Sequence, residues 1–369
     1  MKRISITVIN DLVTDQRVHR MAGSLVRQGY KVRLTGRKLP GSLPVTDLRF
    51  TWVRFRMLFR KGLLFYASYN IRLFLSLLFC KRPDILIAVD LDTLSANFLA
   101  GKLRRIPLIY DSHEYFTEVP ELINRPRVKR IWEAIERYIV PKLTHAIAVS
   151  ESISKAYNDK YGVQFVTIRN VSELRSPELY PGFNDNYTAK YKLIYQGALN
   201  LGRGIELMIE SLRYMQDTML FIVGDGDIRQ ELRQMVHKLQ LTDRVMFPGR
   251  IPPAKLVGLT AHCNVGLSLE EDRGLNYRLA LPNKVFDYIQ ARIPVLCSDL
   301  PEMAALVRKY DIGEVCSSRK PEQLASQLSG MMKNQDAILI WKENLEKTAR
   351  ELCWENEEQK LLGIVENSL

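Results

Sequence analysis

The apolar residues of this chain gather into short runs, and helix-length segments with polar faces separate them. In the first half Ile4 to Ile9, Lys31 to Leu34, Asp84 to Val89, Leu108 to Tyr110 and Ala146 to Val149 read as strands. In the second half Lys192 to Gln196, Met219 to Val223, Val245 to Phe247 and Val295 to Cys297 read the same way. Ile4 to Ile9 looks amphipathic, whereas Asp84 to Val89, Leu108 to Tyr110, Ala146 to Val149 and Lys192 to Gln196 read as buried strands. Between them stands a helix from Gln16 to about Gln28, with Thr14 or Asp15 as N-cap and Gly29 as its stop. Further helices run from Ile205 to about Arg213 and through Leu232, Met235 and Leu239. Strands alternating with helices predict parallel sheets with functional loops at the carboxyl edge. In the first half those loops are 10–17, 90–93, 111–118 and 150–152.

A length of 369 residues allows two domains, each with a substantial core. The turn-rich stretch 170–190 is the expected linker: Asn170-Val171-Ser172, Pro177, Pro181-Gly182 and Asn184-Asp185-Asn186 are turn chemistry. An apolar share of 46% and a charged share of 25% are those of a soluble globular protein. Met-Lys-Arg leads directly into a strand, so no signal peptide is expected. The 5 cysteines are odd in number and widely spaced, which predicts reduced thiols in a cytosolic protein and neither a disulfide framework nor a zinc site. The 5 histidines form no ligand pattern, so a metal-independent site is the expectation.

One stretch concentrates polar chemistry. Pro282-Asn283-Lys284 opens a short helix, and Asp287 stands one turn inside it. The N–H groups and positive dipole end of such a start suit an anion. Lys284 adds a point charge for phosphate, and Asp287 an acceptor for sugar hydroxyls. Ordinary capping and solvated charge would explain the segment if it stood alone. Two glycine-rich strand-to-helix turns accompany it, Gly197 to Gly204 with Arg203, and Gly224-Asp225-Gly226-Asp227. Each can point backbone N–H groups at a phosphate. Neither is specific, since Gly224-x-Gly226 lacks the third glycine of a dinucleotide fingerprint and no Walker lysine motif is present.

The ordered pieces are Gly-Ala-Leu at 197–199 with Arg203-Gly204, Val-Gly-Asp-Gly at 223–226 and Phe-Pro-Gly-Arg at 247–250. Ser-Leu-Glu-Glu at 268–271, Pro-Asn-Lys-Val-Phe-Asp-Tyr-Ile at 282–289, Pro-Val at 294–295 and Cys-Trp-Glu-Asn at 353–356 follow. Together they resemble the retaining glycosyltransferases of family four, bacterial surface-glycan type. The resemblance implies an α/β chain of two Rossmann-like, doubly wound domains facing a cleft, the GT-B fold. Residues 1–175 would bind acceptor and 190–354 the nucleotide sugar, with a terminal helix from 355 crossing back to the first domain. It implies transfer, with retention and without cofactor, from a UDP- or GDP-linked sugar to a glycan or lipid-linked acceptor. The donor side would comprise Gly197, Arg203, Gly204, Gly224, Asp225, Asn283 and Lys284 around the diphosphate. Asp287 would take the ribose, Arg250 the base edge, and Glu270 or Glu271 the donor sugar, Glu270 being the catalytic choice. The family's arginine after the first loop glycine is replaced by Ala198; Lys284 and Arg278 are candidates for the missing charge.

Charge is unevenly spread. Residues 1–180 carry 30 Lys and Arg against 16 Asp and Glu, whereas residues 181–369 carry 23 against 25. No acid lies between Asp47 and Asp84, but Arg49, Arg54, Arg56, Arg60, Lys61, Arg72, Lys81 and Arg82 do, interleaved with aromatics and leucines. That mixture predicts an interfacial segment on an anionic membrane, with the protein cytoplasmic and peripheral at the inner face of the cell membrane. The competing reading packs the apolar side chains in the domain core, with the arginines snorkelling out. Leu63 to Phe79 is too short for a comfortable span, and Asn70 and Arg72 interrupt it. No nucleic-acid module accompanies the basic half.

His113 is the catalytic candidate of the first half, because it follows a buried strand among Asp111 and Glu114. In the resembling family a histidine after this strand lies near the transferred sugar and acceptor. Asp11, Arg17 and Glu114 are the acceptor-binding candidates. A nucleotide-sugar epimerase of the same fold and a non-catalytic nucleotide- or membrane-binding scaffold are the alternative functions.

Overall fold

The computed structural model describes residues 1–13, 15–177 and 187–369; the N-cap candidate Thr14 and the linker residues Pro181, Gly182 and 184–186 lie outside them. The chain divides into two compact units, Met1–Asn170 with Asn356–Leu369, and Val171–Glu355.

In the first unit the strands are β1 (Arg3–Asp11), β2 (Lys31–Arg37), β3 (Thr51–Phe55), β4 (Ile85–Val89), β5 (Leu108–Ser112), β6 (His145–Ala148) and β7 (Phe165–Thr167). They lie in the order β3-β2-β1-β4-β5-β6-β7, every neighbour parallel. In the second unit β8 (Tyr191–Gln196), β9 (Thr218–Val223), β10 (Val245–Gly249), β11 (Val265–Ser268), β12 (Val295–Cys297) and β13 (Gly313–Val315) form a sheet. Its order is β10-β9-β8-β11-β12-β13, again wholly parallel. Both are doubly wound Rossmann-like sheets, as the alternating pattern predicts. The order reverses between β1 and β4, and between β8 and β11, so the loops beyond those carboxyl ends border the crevice where doubly wound sheets bind their ligands.

The local causes are legible. All five residues of β4 are buried, as a central parallel strand between two helical layers requires. The helix Gln16–Arg27 opens on Asp15, whose carboxylate accepts the Val18 N–H at 3.1 Å. The terminal helix Trp354–Asn367 contributes to the first unit, where Glu357 accepts from Arg169 at 3.1 Å and Glu358 accepts from Ser24 and Arg27.

The basic stretch between Asp47 and Asp84 is part core and part surface. Residues Thr51–Phe55 are β3, with Phe55 buried. The helix Leu63–Phe79 buries Phe65, Tyr69, Leu73 and Leu77, one every four residues, in a cluster with Leu86, Ala96, Ala100 and Ile106. Each such side chain contributes about 1.5–3 kcal/mol to anchoring the helix. Its other faces leave Leu63, Leu64, Ile71, Leu75 and Phe79 exposed. No helix among the described residues is long and apolar enough to cross a membrane.

Candidate functional site

At the crevice of the second unit, the turn after β8, the loop after β11 and the start of the helix Asn283–Gln290 converge on one buried ion pair. Glu270 is 2% exposed; one carboxylate oxygen pairs with the Lys284 ammonium and the other accepts from Ser268 Oγ at 2.8 Å. Arg203 Nη1 lies 3.8 Å from the same carboxylate, and the Lys284 ammonium sits 4.6 Å from the centre of the Tyr195 ring. Ser298 Oγ donates to the Glu270 carbonyl at 2.6 Å, and Arg319 donates to the Leu269 carbonyl at 3.2 Å, which fixes the loop. Burial pushes the Glu270 carboxyl up, but Lys284, Ser268 and Arg203 outweigh it and hold it below its ordinary value. Burial lowers the Lys284 ammonium, with Glu270 opposing and Arg203 adding to the effect. Cations therefore outnumber the carboxylate at this spot, the condition an incoming anion needs.

The glycine turns act differently from the expectation. The Gly197 N–H donates to the Val223 carbonyl at 3.0 Å, Leu199 N–H to Asp225 at 3.1 Å, and Gly224 N–H to Gly249 at 2.9 Å. These three donors hold neighbouring turns together and are not aimed at a phosphate, because the turns of adjacent parallel strands stack side by side. The glycines permit that approach: a Cβ on Gly224 would lie 1.9 Å from the Gly197 carbonyl oxygen, and one on Gly204 2.0 Å from that of Leu269.

Other donor-side candidates lie around the pair in varied states. Asp287 points elsewhere, its carboxylate accepting from Ser172 Oγ and from Gln196 Nε2 at 2.8 Å. Asn283 is exposed at the helix start. Glu271 accepts from Arg273 at 2.8 Å while its N–H donates to the Gly202 carbonyl. Asp225 and Arg250 belong to a separate surface group, 3.7 Å apart, with Arg229 3.5 Å from Asp225.

The crevice of the first unit holds a denser charge cluster. Arg17, 2% exposed, forks onto Asp111 with bonds of 2.8 and 3.1 Å and donates to the Ile168 carbonyl at 2.9 Å. His113 Nε2 lies 2.8 Å from Asp111, the His113 backbone N–H donates to the Asp90 carboxylate at 2.8 Å, and Nδ1 is 3.9 Å from Asp90. Burial works against the imidazolium, yet Asp111 and Asp90 prevail and raise His113 to about 9. His113 is thus a cation at neutral pH, able to donate a proton or stabilise negative charge, and is not poised as a base. Asp111 is held far below its ordinary value by Arg17 and His113 despite burial, whereas burial raises Asp90.

Two acceptor-side expectations change. Arg17 is committed within the protein, its planar fork matching Asp111 and its third nitrogen taken by the Ile168 carbonyl. Asp11 is 8% exposed and holds Arg54, at 3.1 Å, and Ser42. Glu114 is exposed, and its carbonyl accepts from Ser112. Asp90, Tyr195, Ser268 and Arg319 join the two clusters without having stood out in the sequence. Asp90 had a signal, since it ends the fully apolar run of β4; Arg319 had none, reaching Glu270's loop from a remote position. No group of three or more His, Cys, Asp or Glu among the described residues is arranged to hold a metal ion.

Comparison with known proteins bears on each unit. Residues 15–171 match the family model for Glycosyltransferase Family 4, and residues 179–351 that for Glycosyl transferases group 1. A curated relative, chitobiosyldiphosphodolichol beta-mannosyltransferase of Candida albicans, is 24% identical over 172 residues. That match spans 44% of this chain and 37% of the relative's length. Among solved structures, sucrose-phosphate synthase of Thermosynechococcus elongatus is 14% identical with a TM-score of 0.82, covering 100% of this chain and 99% of its own. The Anabaena HepE protein in complex with UDP and glucose is 15% identical with a TM-score of 0.75, covering 100% of both chains. WaaG, a glycosyltransferase involved in lipopolysaccharide biosynthesis, is 16% identical with a TM-score of 0.71, covering 97% and 98%. At these identities the structures show a shared fold.

Proposed function

For a chain built of two glycosyltransferase family domains with the GT-B fold, we propose that it moves a sugar from a UDP- or GDP-linked donor to a glycan or lipid-linked acceptor. The carrying observation is the buried Glu270–Lys284 pair with Arg203 beside it at the second unit's crevice. In this reading the donor diphosphate takes Lys284 and Arg203, and Glu270, released from its partner, holds hydroxyls of the donor sugar. Negative charge builds on the leaving phosphate as the glycosidic C–O bond breaks, and these preorganised cations stabilise it. His113, as an imidazolium, serves the reacting sugar and acceptor by donating hydrogen bonds. The reaction needs no metal, since the cations beside the phosphate are side chains. The setting is surface polysaccharide or glycolipid assembly, in the cytoplasm at the inner face of the cell membrane, where the basic first half favours anionic lipid.

Retention is the course that the family resemblance implies. Inversion is favoured by one observation, the beta linkage in the curated relative's name, because an α-linked nucleotide sugar gives a β product only by inversion. The anomeric coupling of the first product, read by NMR, decides between them.

The test is a thermal-shift series with UDP, GDP, ADP and their sugar conjugates, with and without EDTA. Stabilisation by one nucleoside diphosphate, indifferent to EDTA, is expected. Indifference to every nucleotide would overturn the donor site. An epimerase would convert the free nucleotide sugar with no acceptor present, and a scaffold would bind without turnover.

A further inference from the structure

Beyond the carboxyl ends of β2 and β3, Arg37, Lys38, Arg56 and Arg60 line a hollow of about 300 Å³, with Gly41, Ser42, Met57 and Phe59. None of the four cations is ion-paired with a carboxylate among the described residues, although Arg49 and Arg54 nearby are paired. The wall is built. Ser42 Oγ accepts the Leu39 N–H at 2.8 Å and donates to Asp11, which Arg54 also holds. Arg37 lies over the Phe65 ring at 4.9 Å, and its Nε is buried without a hydrogen-bond partner. Asp92 lies within electrostatic reach of Arg37, but burial and then Asp90 push its carboxyl well above its ordinary value, which weakens it as a counter-charge. Four like charges around one concavity repel each other, and an anion in the hollow relieves the repulsion.

The rim is apolar. Leu58 is 95% exposed, Leu63 67% and Leu64 61%, with Phe59 also exposed. These side chains lie in the segment that leads from the hollow into the helix Leu63–Phe79, whose Ile71, Leu75 and Phe79 continue the exposed apolar surface. Cations around a pocket and hydrocarbon beside it match a molecule with a phosphate head and an apolar tail.

We propose that this hollow seats the phosphate or diphosphate of a membrane-borne acceptor, whose chain lies in the bilayer against Leu58, Phe59, Leu63 and Leu64. The proposal rests on the glycosyltransferase reading only in calling the lipid an acceptor. Arg56 and Arg60 are exposed, so Arg56→Gln/Arg60→Gln leaves the core intact.

The full chain is floated with phosphatidylcholine vesicles carrying a long-chain prenyl diphosphate, the matching neutral prenol, or phosphatidylglycerol at equal surface charge. Diphosphate vesicles are expected to retain the protein best. The double variant should lose roughly 30-fold in that binding, about fivefold per cation, with nucleotide affinity unchanged by calorimetry. Equal flotation of variant and wild type would overturn the assignment. So would equal binding to phosphatidylglycerol, which would make the patch a general membrane contact. Hollow-dependent binding of inorganic pyrophosphate without vesicle binding would overturn it in favour of a soluble phosphate ligand. Flotation that depends on Arg56 and Arg60 in a protein that transfers no sugar would keep the lipid site and remove the transferase reading.

Discussion

The two crevices are built on the same strand order and carry opposite kinds of charge pair. In the first unit Asp111 is gripped by a bidentate, fully buried guanidinium and by His113. In the second, Glu270 meets a single ammonium that hangs from a helix start beside an exposed glycine turn. An arginine fork is rigid and always charged, whereas a lysine is a rotatable point charge that can change partners. The first cluster is therefore a fixed frame that orients His113, and the second, on the proposed donor-site reading, is a catch that an anion would open.

The largest effect should come from breaking the frame. Arg17→Met leaves the Asp111 carboxylate buried with half its partners and is expected to cost about 3–5 kcal/mol in urea unfolding. Arg17→Met/Asp111→Leu should recover much of that loss; if it does not, the pair is not the source. His113 gives the next effect. Its raised value means that its stabilisation is complete below about pH 6.5 and is lost as pH rises through about 9. The stability gap between wild type and His113→Gln should therefore be about 3 kcal/mol in mild acid and close over that window. A gap independent of pH would remove the imidazolium.

The catch should report in binding, although Lys284→Met also leaves the buried Glu270 carboxylate without its nearest cation and lowers stability. Lys284→Met is expected to weaken nucleoside diphosphate affinity about 10- to 100-fold by calorimetry, the worth of one charge-assisted hydrogen bond. Unchanged affinity would mean that Lys284 only neutralises Glu270. Arg203→Ala is the smallest change: its side chain is 32% exposed and 3.8 Å from Glu270, so a loss of about threefold is expected. A larger loss from Arg203 than from Lys284 would reverse their roles.

Much of the doubly wound fold was legible, because a strand buried on both faces favours an unbroken apolar run, and β4 and β9 have one. The parts that escaped have physical reasons. In β3, Arg54 lies between apolar neighbours, and the strand looked like interfacial sequence because its charge is satisfied only in space, by Asp11. In β11, Gly266 weakens strand propensity; it stands there because a Cβ would fall 2.4 Å from the Tyr288 ring. Glu270 and Lys284 were legible as candidates, but their direct pairing was not, since it spans an intervening loop and helix. Arg17 carried the signal of a loop cation, and nothing in its neighbours foretold Asp111 as its partner.

The stacked turns after β8, β9 and β10 carry an evolutionary consequence. Gly224 and Gly204 are required by backbone passing backbone, whether or not a nucleotide is ever bound. A descendant of this chain that had lost turnover would keep those glycines for as long as it folded, while the half-exposed Arg203 drifted and Lys284 could change only together with its buried partner Glu270. The glycine signature thus records ancestry of the fold and not the presence of a bound nucleotide.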